Sequence, residues 1–187
     1  MNRGARRSRL FETDADYQSF LACLILGLEK IPLRLFAYCV MPNHFHLVVW
    51  PKETGQLSRF MKLVTGTHSR RWHRARGSDG TGCVYQGRYR AVVVRRDDDF
   101  LTVCRYVERN ALRAKLVTRA EDWPWSSLHQ RLRNCHTVPL QPWPILQPVD
   151  WLSFVNQQEV AADVEAMRSS IGPRRLGRRA SYEKVVG

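Results

Sequence analysis

His44-Phe45-His46 is the pattern in this chain best suited to chemistry. On an extended strand, residues i and i+2 point to one face, so the two imidazoles project together while Phe45 points into the opposite layer. Two neutral imidazoles side by side suit one divalent metal ion, although His-x-His pairs also arise by chance. The setting favours the metal reading, because Met41-Pro42-Asn43 supplies turn chemistry before the pair and Leu47-Val48-Val49 an apolar strand end after it. A second constellation is Tyr106 with Asn110, four residues apart and so on one helix face. At about 100° per residue that face lies roughly a third of a turn from the stripe Phe100, Val103 and Val107. Tyr106 is thereby placed to border a cleft that the Asn110 amide oxygen can also reach. A half-buried tyrosine packing on a sheet gives the same spacing. Arg105, Arg109 and Arg113 on this helix suit a phosphate, or else form a solvated basic face paired with Glu108.

A third constellation interleaves cations with aromatics in Arg70-Arg71-Trp72-His73-Arg74 and in Arg88-Tyr89-Arg90. Arginines neutralise phosphates while Trp72 and Tyr89 offer faces to unstacked bases; such runs are also common on merely solvated surfaces. The whole-chain balance favours the first reading. Among 187 residues, 30 Lys and Arg stand against 17 Asp and Glu, a net +13 that calls for a polyanionic partner, either nucleic acid or an anionic membrane surface.

The elements that must position these groups are legible in outline. Tyr17, Phe20, Leu21, Leu24 and Leu28 predict a helix from Thr13 or Asp14 to about Glu29, stopped by Pro32. Leu33 to Val40 reads as an interior strand and His44 to Trp50 as a second. A helix is predicted from Gln56 to about Arg76, then short β segments over Val84–Gln86 and Tyr89–Arg95. The helix bearing Tyr106 is expected to run from a cap at Asp97 or Asp98 to about Lys115. The corner Trp123-Pro124-Trp125-Ser126-Ser127 leads into a short helix ending near Arg133. Pro139, Pro142, Pro144 and Pro148 mark a linker, followed by an amphipathic helix over Asp150–Ser169 and a basic tail, expected to be mobile, from Gly172. The divisions are therefore 1–135, 136–171 and 172–187. Strands alternating with helices indicate an α+β sandwich around a small, mostly antiparallel sheet.

Several classes are excluded by pattern. The longest apolar run, Phe20 to Met41, is interrupted by Gly27, Glu29, Lys30, Pro32 and Arg34, so no transmembrane helix is expected, and no secretory signal follows the basic start. Five scattered cysteines without a C-x-x-C pair suit reduced thiols in the cytoplasm, and neither a disulfide frame nor a zinc site.

The stretch Ala37-Tyr38-Cys39-Val40-Met41-Pro42-Asn43-His44-Phe45-His46-Leu47-Val48 closely resembles the signature of single-tyrosine HUH (insertion-sequence-200-like) transposases, especially the REP-associated tyrosine transposases. Further matches follow in family order: Tyr85-Gln86-Gly87-Arg88-Tyr89, then the helix from Arg105-Tyr106 through Asn110 to Val117, then Asp122-Trp123-Pro124-Trp125-Ser126-Ser127. The resemblance implies a ferredoxin-like (RRM-like) sheet with helices on one side. It makes His44 and His46 metal ligands, Asn110 the third ligand and Tyr106 the nucleophile, with Mg²⁺ or Mn²⁺ as the ion. The implied reaction is attack on single-stranded DNA, giving a 5′-phosphotyrosine link and a free 3′-OH that can later reverse the step. The implied partner is hairpin-forming DNA, gripped by the basic-aromatic segments, with the protein a monomer or homodimer. Where the family has Asn-Pro this chain has Asn110-Ala111. Relatives also carry a strand just before the segment matching Asn2-Arg3-Gly4, where this chain has only Met1, so the first strand is expected to be missing through a late start or truncation.

The reading is a metal-dependent single-strand DNA nickase and strand transferase. The alternative is a non-catalytic DNA- or RNA-binding remnant of such an enzyme. A His-pair hydrolase of small phosphoesters accounts for a metal but leaves the +13 charge and Tyr106 unexplained.

Overall fold

The computed structural model describes residues 1–159 apart from Arg6, Arg7, Arg95 and His136. The elements are β1 (Asn2–Arg3), α1 (Asp14–Lys30), β2 (Arg34–Met41), β3 (His44–Trp50), α2 (Gln56–Arg76), α3 (Asp97–Glu108), α4 (Asn110–Arg113), α5 (Ser127–Leu132) and α6 (Trp151–Asn156). Helix α1 starts at a reciprocal cap. The Thr13 hydroxyl accepts from the Asp16 backbone N–H, and the Asp16 carboxylate accepts from that of Thr13, so two donors that the helix leaves over are satisfied.

The sheet is antiparallel, in the order β1-β3-β2. Strand β1 is two residues long, with Asn2 opposite Phe45 and Arg3 opposite His44, and the strand expected before Asn2-Arg3-Gly4 is not among the described residues. Outside β1 runs the segment around Tyr85, where the Gln86 N–H donates to the Arg3 carbonyl and Ala5 N–H to that of Val84. The two β segments predicted there are not formed as strands; Tyr85 makes a single bridge to Gly4. Beyond β2, the Val40 N–H donates to the Trp125 carbonyl, so the aromatic corner closes that edge.

Strand β2 is buried from Leu35 to Met41 because both faces of the sheet are covered. On one face Leu35, Tyr38, Val40 and Phe45 pack against Phe20 and Leu24 of α1 and Phe60 and Val64 of α2. Each such fully buried side chain contributes about 1.5–3 kcal/mol through loss of hydrated apolar surface. Helices α1 and α2 approach so closely that a Cβ on Gly27 would meet Val64 Cγ2 at 2.5 Å. On the other face Ala37, Cys39, Met41 and Val48 pack against Phe100, Cys104 and Val107 of α3, with Ala111, Leu128, Trp151 and Val155 behind them. The expectation of helices on one side is thus corrected. Apolar residues point both ways from β2 and β3, and each set recruits its own layer.

A bulge at Phe36 sets this partition, since Leu35 pairs with Val49 but Ala37 with Val48. The extra residue puts Phe36 and Ala37 into the same layer, while Leu35 faces the other. The Phe36 carbonyl, released from the ladder, accepts from Arg131 Nη2 (2.6 Å) and Trp143 Nε1 (3.2 Å). The proline-rich stretch is accordingly anchored on the sheet, for the Gln141 N–H also donates to the Leu35 carbonyl.

The helix predicted to run unbroken to Lys115 divides at Arg109 into α3 and α4. There the Asn110 side-chain amide donates to the Tyr106 carbonyl, an acceptor that a continuous helix would use for a backbone N–H. Of the helix predicted over Asp150–Ser169, Trp151–Asn156 is formed, and residues beyond 159 lie outside those described, as does the tail from Gly172. Among the described residues no helix is long and apolar enough to cross a membrane, and the five cysteines are free thiols.

Candidate active site

Strand β3 presents His44 and His46 on the α3 side of the sheet, with ring centroids 4.9 Å apart and ring planes at 78°. Asn43, the last turn residue, places its Oδ1 2.6 Å from His44 Nδ1. With that nitrogen donating, Nε2 keeps its lone pair for a ligand, as outer-sphere carbonyls commonly arrange at metal sites. Burial keeps both imidazoles in the neutral, ligating form. It lowers His44 to about 4, with the Arg3 charge adding to the effect. It lowers His46 well below the ordinary value, assisted by His44, Arg113 and Arg3 among other cations.

Helix α3 brings Tyr106 onto this pair, with its ring 5.7 Å from that of His46 and inclined at 76°. The Arg113 guanidinium lies 4.2 Å from the centre of the Tyr106 ring. Asn110 is buried one turn beyond; its Nδ2 donates to the Tyr106 carbonyl at 3.0 Å and its Oδ1 accepts from Arg113 at 3.4 Å. Two imidazoles, a phenol, an amide oxygen and a guanidinium thus meet between β3 and the α3–α4 junction. No three His, Cys, Asp or Glu among the described residues cluster to hold a metal. An ion on the histidine pair therefore needs an amide, carbonyl or water oxygen to complete its shell.

The predicted DNA-binding residues fall into two sets. Arg70, Arg71 and Arg74 on α2 are exposed, as are Arg88 and Arg90. Trp72 between them is half-buried, its Nε1 donating to the Leu10 carbonyl at 3.0 Å and one face covered by Arg76 at 4.3 Å. Tyr89 is similarly engaged, with its hydroxyl 2.9 Å from Ser58 Oγ. These rings serve the packing of α2 and its neighbours, which their spacing did not reveal. Arg105, Arg109 and Arg113 are engaged by the end of α6 and the segment after it. Arg105 donates to the Gln157 carbonyl and Arg109 to that of Val155, while Glu159 lies 3.3 Å from Arg109 and 2.6 Å from Arg113. Burial alone would raise the Glu159 carboxyl, but the Arg113 hydrogen bonds and the surrounding arginine charges hold it below the ordinary range.

Sequence reasoning gave no site role to Arg3 or Glu159, and set Glu108 only as a partner of the helix arginines on a solvated face, which its burial corrects. Glu108 is fully buried on α3, accepting from Ser127 Oγ (2.7 Å), Trp151 Nε1 (2.8 Å) and Arg131 (3.2 Å), and burial raises its carboxyl. It ties the Tyr106 helix to α5 and α6. Its partners lie 19 to 43 residues away, so no local signal marks it.

The histidine pair on an inner strand thus lies beside a helix-borne tyrosine, within a helix-covered antiparallel sheet. Residues 2–110 match the family model described as "Transposase IS200 like", and the chain belongs to that family. It is 24% identical over 154 residues to the REP-associated tyrosine transposase of Escherichia coli (strain K12), covering 80% of each chain. It is 25% identical over 113 residues to a putative REP-associated tyrosine transposase of Haemophilus influenzae, covering 56% of this chain and 64% of that one. A solved structure of a REP-associated tyrosine transposase bound to a REP hairpin shares the fold, with TM-score 0.58 at 20% identity over 86% of this chain and 89% of that one.

Proposed function

We propose that this chain is a metal-dependent endonuclease and strand transferase acting on single-stranded DNA that carries hairpins. The observation that carries this reading is the Tyr106 ring 5.7 Å from His46, with His44 beside it. His44, His46 and the Asn110 oxygen would hold Mg²⁺ or Mn²⁺, which supplies polarisation of a phosphoryl oxygen and stabilisation of its developing charge. The depressed imidazoles arrive already deprotonated, so binding an ion releases no proton from them at neutral pH. The Tyr106 oxygen forms a bond to phosphorus as its proton leaves, and the bond to the 3′ oxygen breaks, giving a 5′-phosphotyrosine and a free 3′-OH. Attack by a 3′-OH on that phosphotyrosine reverses the exchange and restores the phenol. The exposed arginines on α2, with Arg88 and Arg90, supply the non-specific grip on DNA phosphates. A hairpin partner is supported by the likeness to a transposase bound to one.

Incubating labelled hairpin DNA with single-stranded flanks and Mn²⁺, followed by denaturing electrophoresis, tests the reading. The expected result is a covalent protein–DNA band, absent for Tyr106→Phe and lost for His46→Ala while most DNA affinity remains. Binding without an adduct would instead make the chain a DNA-binding remnant, and phosphoester turnover surviving Tyr106→Phe would make it a hydrolase.

A further inference from the structure

Arg3 stands out among the groups that the proposed mechanism leaves unused. In the β1–β3 register it lies directly opposite His44. Directly opposed residues of an antiparallel pair project from the same face of the sheet, so Arg3 shares the histidine face while its neighbour Asn2 shares that of Phe45. Its backbone is fixed on both sides, by β3 and by the Gln86 N–H that donates to its carbonyl. Its guanidinium is not fixed in this way. The Nε is buried without a hydrogen-bond partner, and Arg3 makes no ion pair among the described residues. This differs from Arg109 and Arg113, which share the one carboxylate of Glu159 as an ion-pair partner. Arg3 is half-buried, so its inaccessible Nε is left unsatisfied while the rest of the planar fork is free to take two phosphate oxygens.

We propose that Arg3 binds the DNA phosphate that Tyr106 attacks, engaging its non-bridging oxygens from the β1 side while Tyr106 approaches from the α3 side. This role rests on the functional reading above and adds a substrate contact to it. The phosphate is then held from two segments remote in sequence, and the arginine acts before and throughout the exchange.

The test uses the full chain with Tyr106→Phe, so that binding is read without turnover. A DNA hairpin with single-stranded flanks is synthesised as a series in which each flank phosphate in turn is replaced by a neutral methylphosphonate, and Kd is measured for each. One position is expected to bind about tenfold more weakly when neutralised, as befits a charge-assisted contact. With Arg3→Ala added, that position is expected to bind both forms alike, and with Arg3→Lys part of the difference returns. Arg3→Gln keeps part of the aliphatic stem and replaces Arg3→Ala should the latter fail to fold. If no position loses its discrimination when Arg3 is changed, the proposal is overturned, even where adduct formation by the parent chain is intact. If adduct formation fails while the Arg3-dependent position persists, the phosphotyrosine reading falls and the arginine contact stands.

Discussion

The two faces of the sheet carry similar positive charge and treat it in opposite ways. On the α2 side Arg70, Arg71 and Arg74 extend into solvent from a helix whose other face is sealed by Phe60, Met61 and Val64. On the α3 side Arg109 and Arg113 are folded under Gln157 to Glu159, and a buried carboxylate, Glu108, holds the helix itself. Runs of arginine that read alike along the chain therefore have different work. One set is open to solvent; the other positions the helix that carries Tyr106. Availability depends on what the remote chain brings back, and sequence spacing does not record it.

The contrast breaks most sharply at Glu108. Replacing it by alanine leaves Ser127, Trp151 and Arg131 without their acceptor and is expected to cost about 3–5 kcal/mol, the usual toll of removing one partner of a buried ion pair. Chemical denaturation reads this directly, and unfolding within 1 kcal/mol of the parent chain would show that α3 does not depend on that carboxylate.

The α2 face has its own buried titrating group. His68 bonds the Tyr85 hydroxyl at 2.7 Å, and burial lowers its imidazole to about 4. The folded imidazole thus binds its proton less readily than the unfolded one, whose ordinary value is 6.5. Stability is unaffected above pH 6.5 and falls as the pH drops from there towards 4, by up to about 3 kcal/mol from this group. His44 and His46 act in the same direction. Melting curves between pH 7 and 4.5 should therefore be less steep in pH for His68→Gln, and an unchanged slope would place the acid sensitivity wholly on the active-site pair.

Smaller effects separate the two arginine sets. Arg109→Ala is expected to cost about 2 kcal/mol of stability, because it loses partly buried bonds to Val155 and Glu159, and to leave the salt dependence of DNA binding nearly unchanged. The triple change of Arg70, Arg71 and Arg74 to alanine should do the reverse. Melting is preserved, while the slope of log K against log salt on single-stranded DNA falls in magnitude by about 2, at ~0.7 per contact. Equal salt slopes for the two variants would erase the distinction.

Much of the site was legible because it rests on local rules. Period two in His44-Phe45-His46 placed both imidazoles on one face, and the boundaries of α2 followed from its apolar stripe and Gly77, whose positive φ of 58° ends the helix. The break at Arg109 escaped notice. Ala111, a good helix former, gives no stop signal, and the Asn110 side chain diverts the Tyr106 carbonyl only in three dimensions. The inward turn of Arg109 and Arg113 depends on Glu159, 46 residues from Arg113, and Trp72 looked like an open platform until Leu10 and Arg76 enclosed it. The part played by Arg3 was hidden similarly, since its meaning lies in a pairing with His44 across 41 residues.

The single additional residue at Phe36 has a further consequence for how this chain tolerates change. Downstream of it, odd-numbered positions of β2 look towards the tyrosine and even-numbered ones towards α1. Excising Phe36 itself would leave Leu35 and Ala37 on opposite faces and the downstream pairing unchanged, whereas excising Tyr38 would turn Val40 towards α3 and Cys39 and Met41 towards α1, unless the pairing with β3 slipped to compensate. Length beyond the bulge is thus constrained more tightly than identity, so point substitutions between Tyr38 and Met41 should be survived far more often than deletions there, while the bulge itself can be lost without shifting the strand.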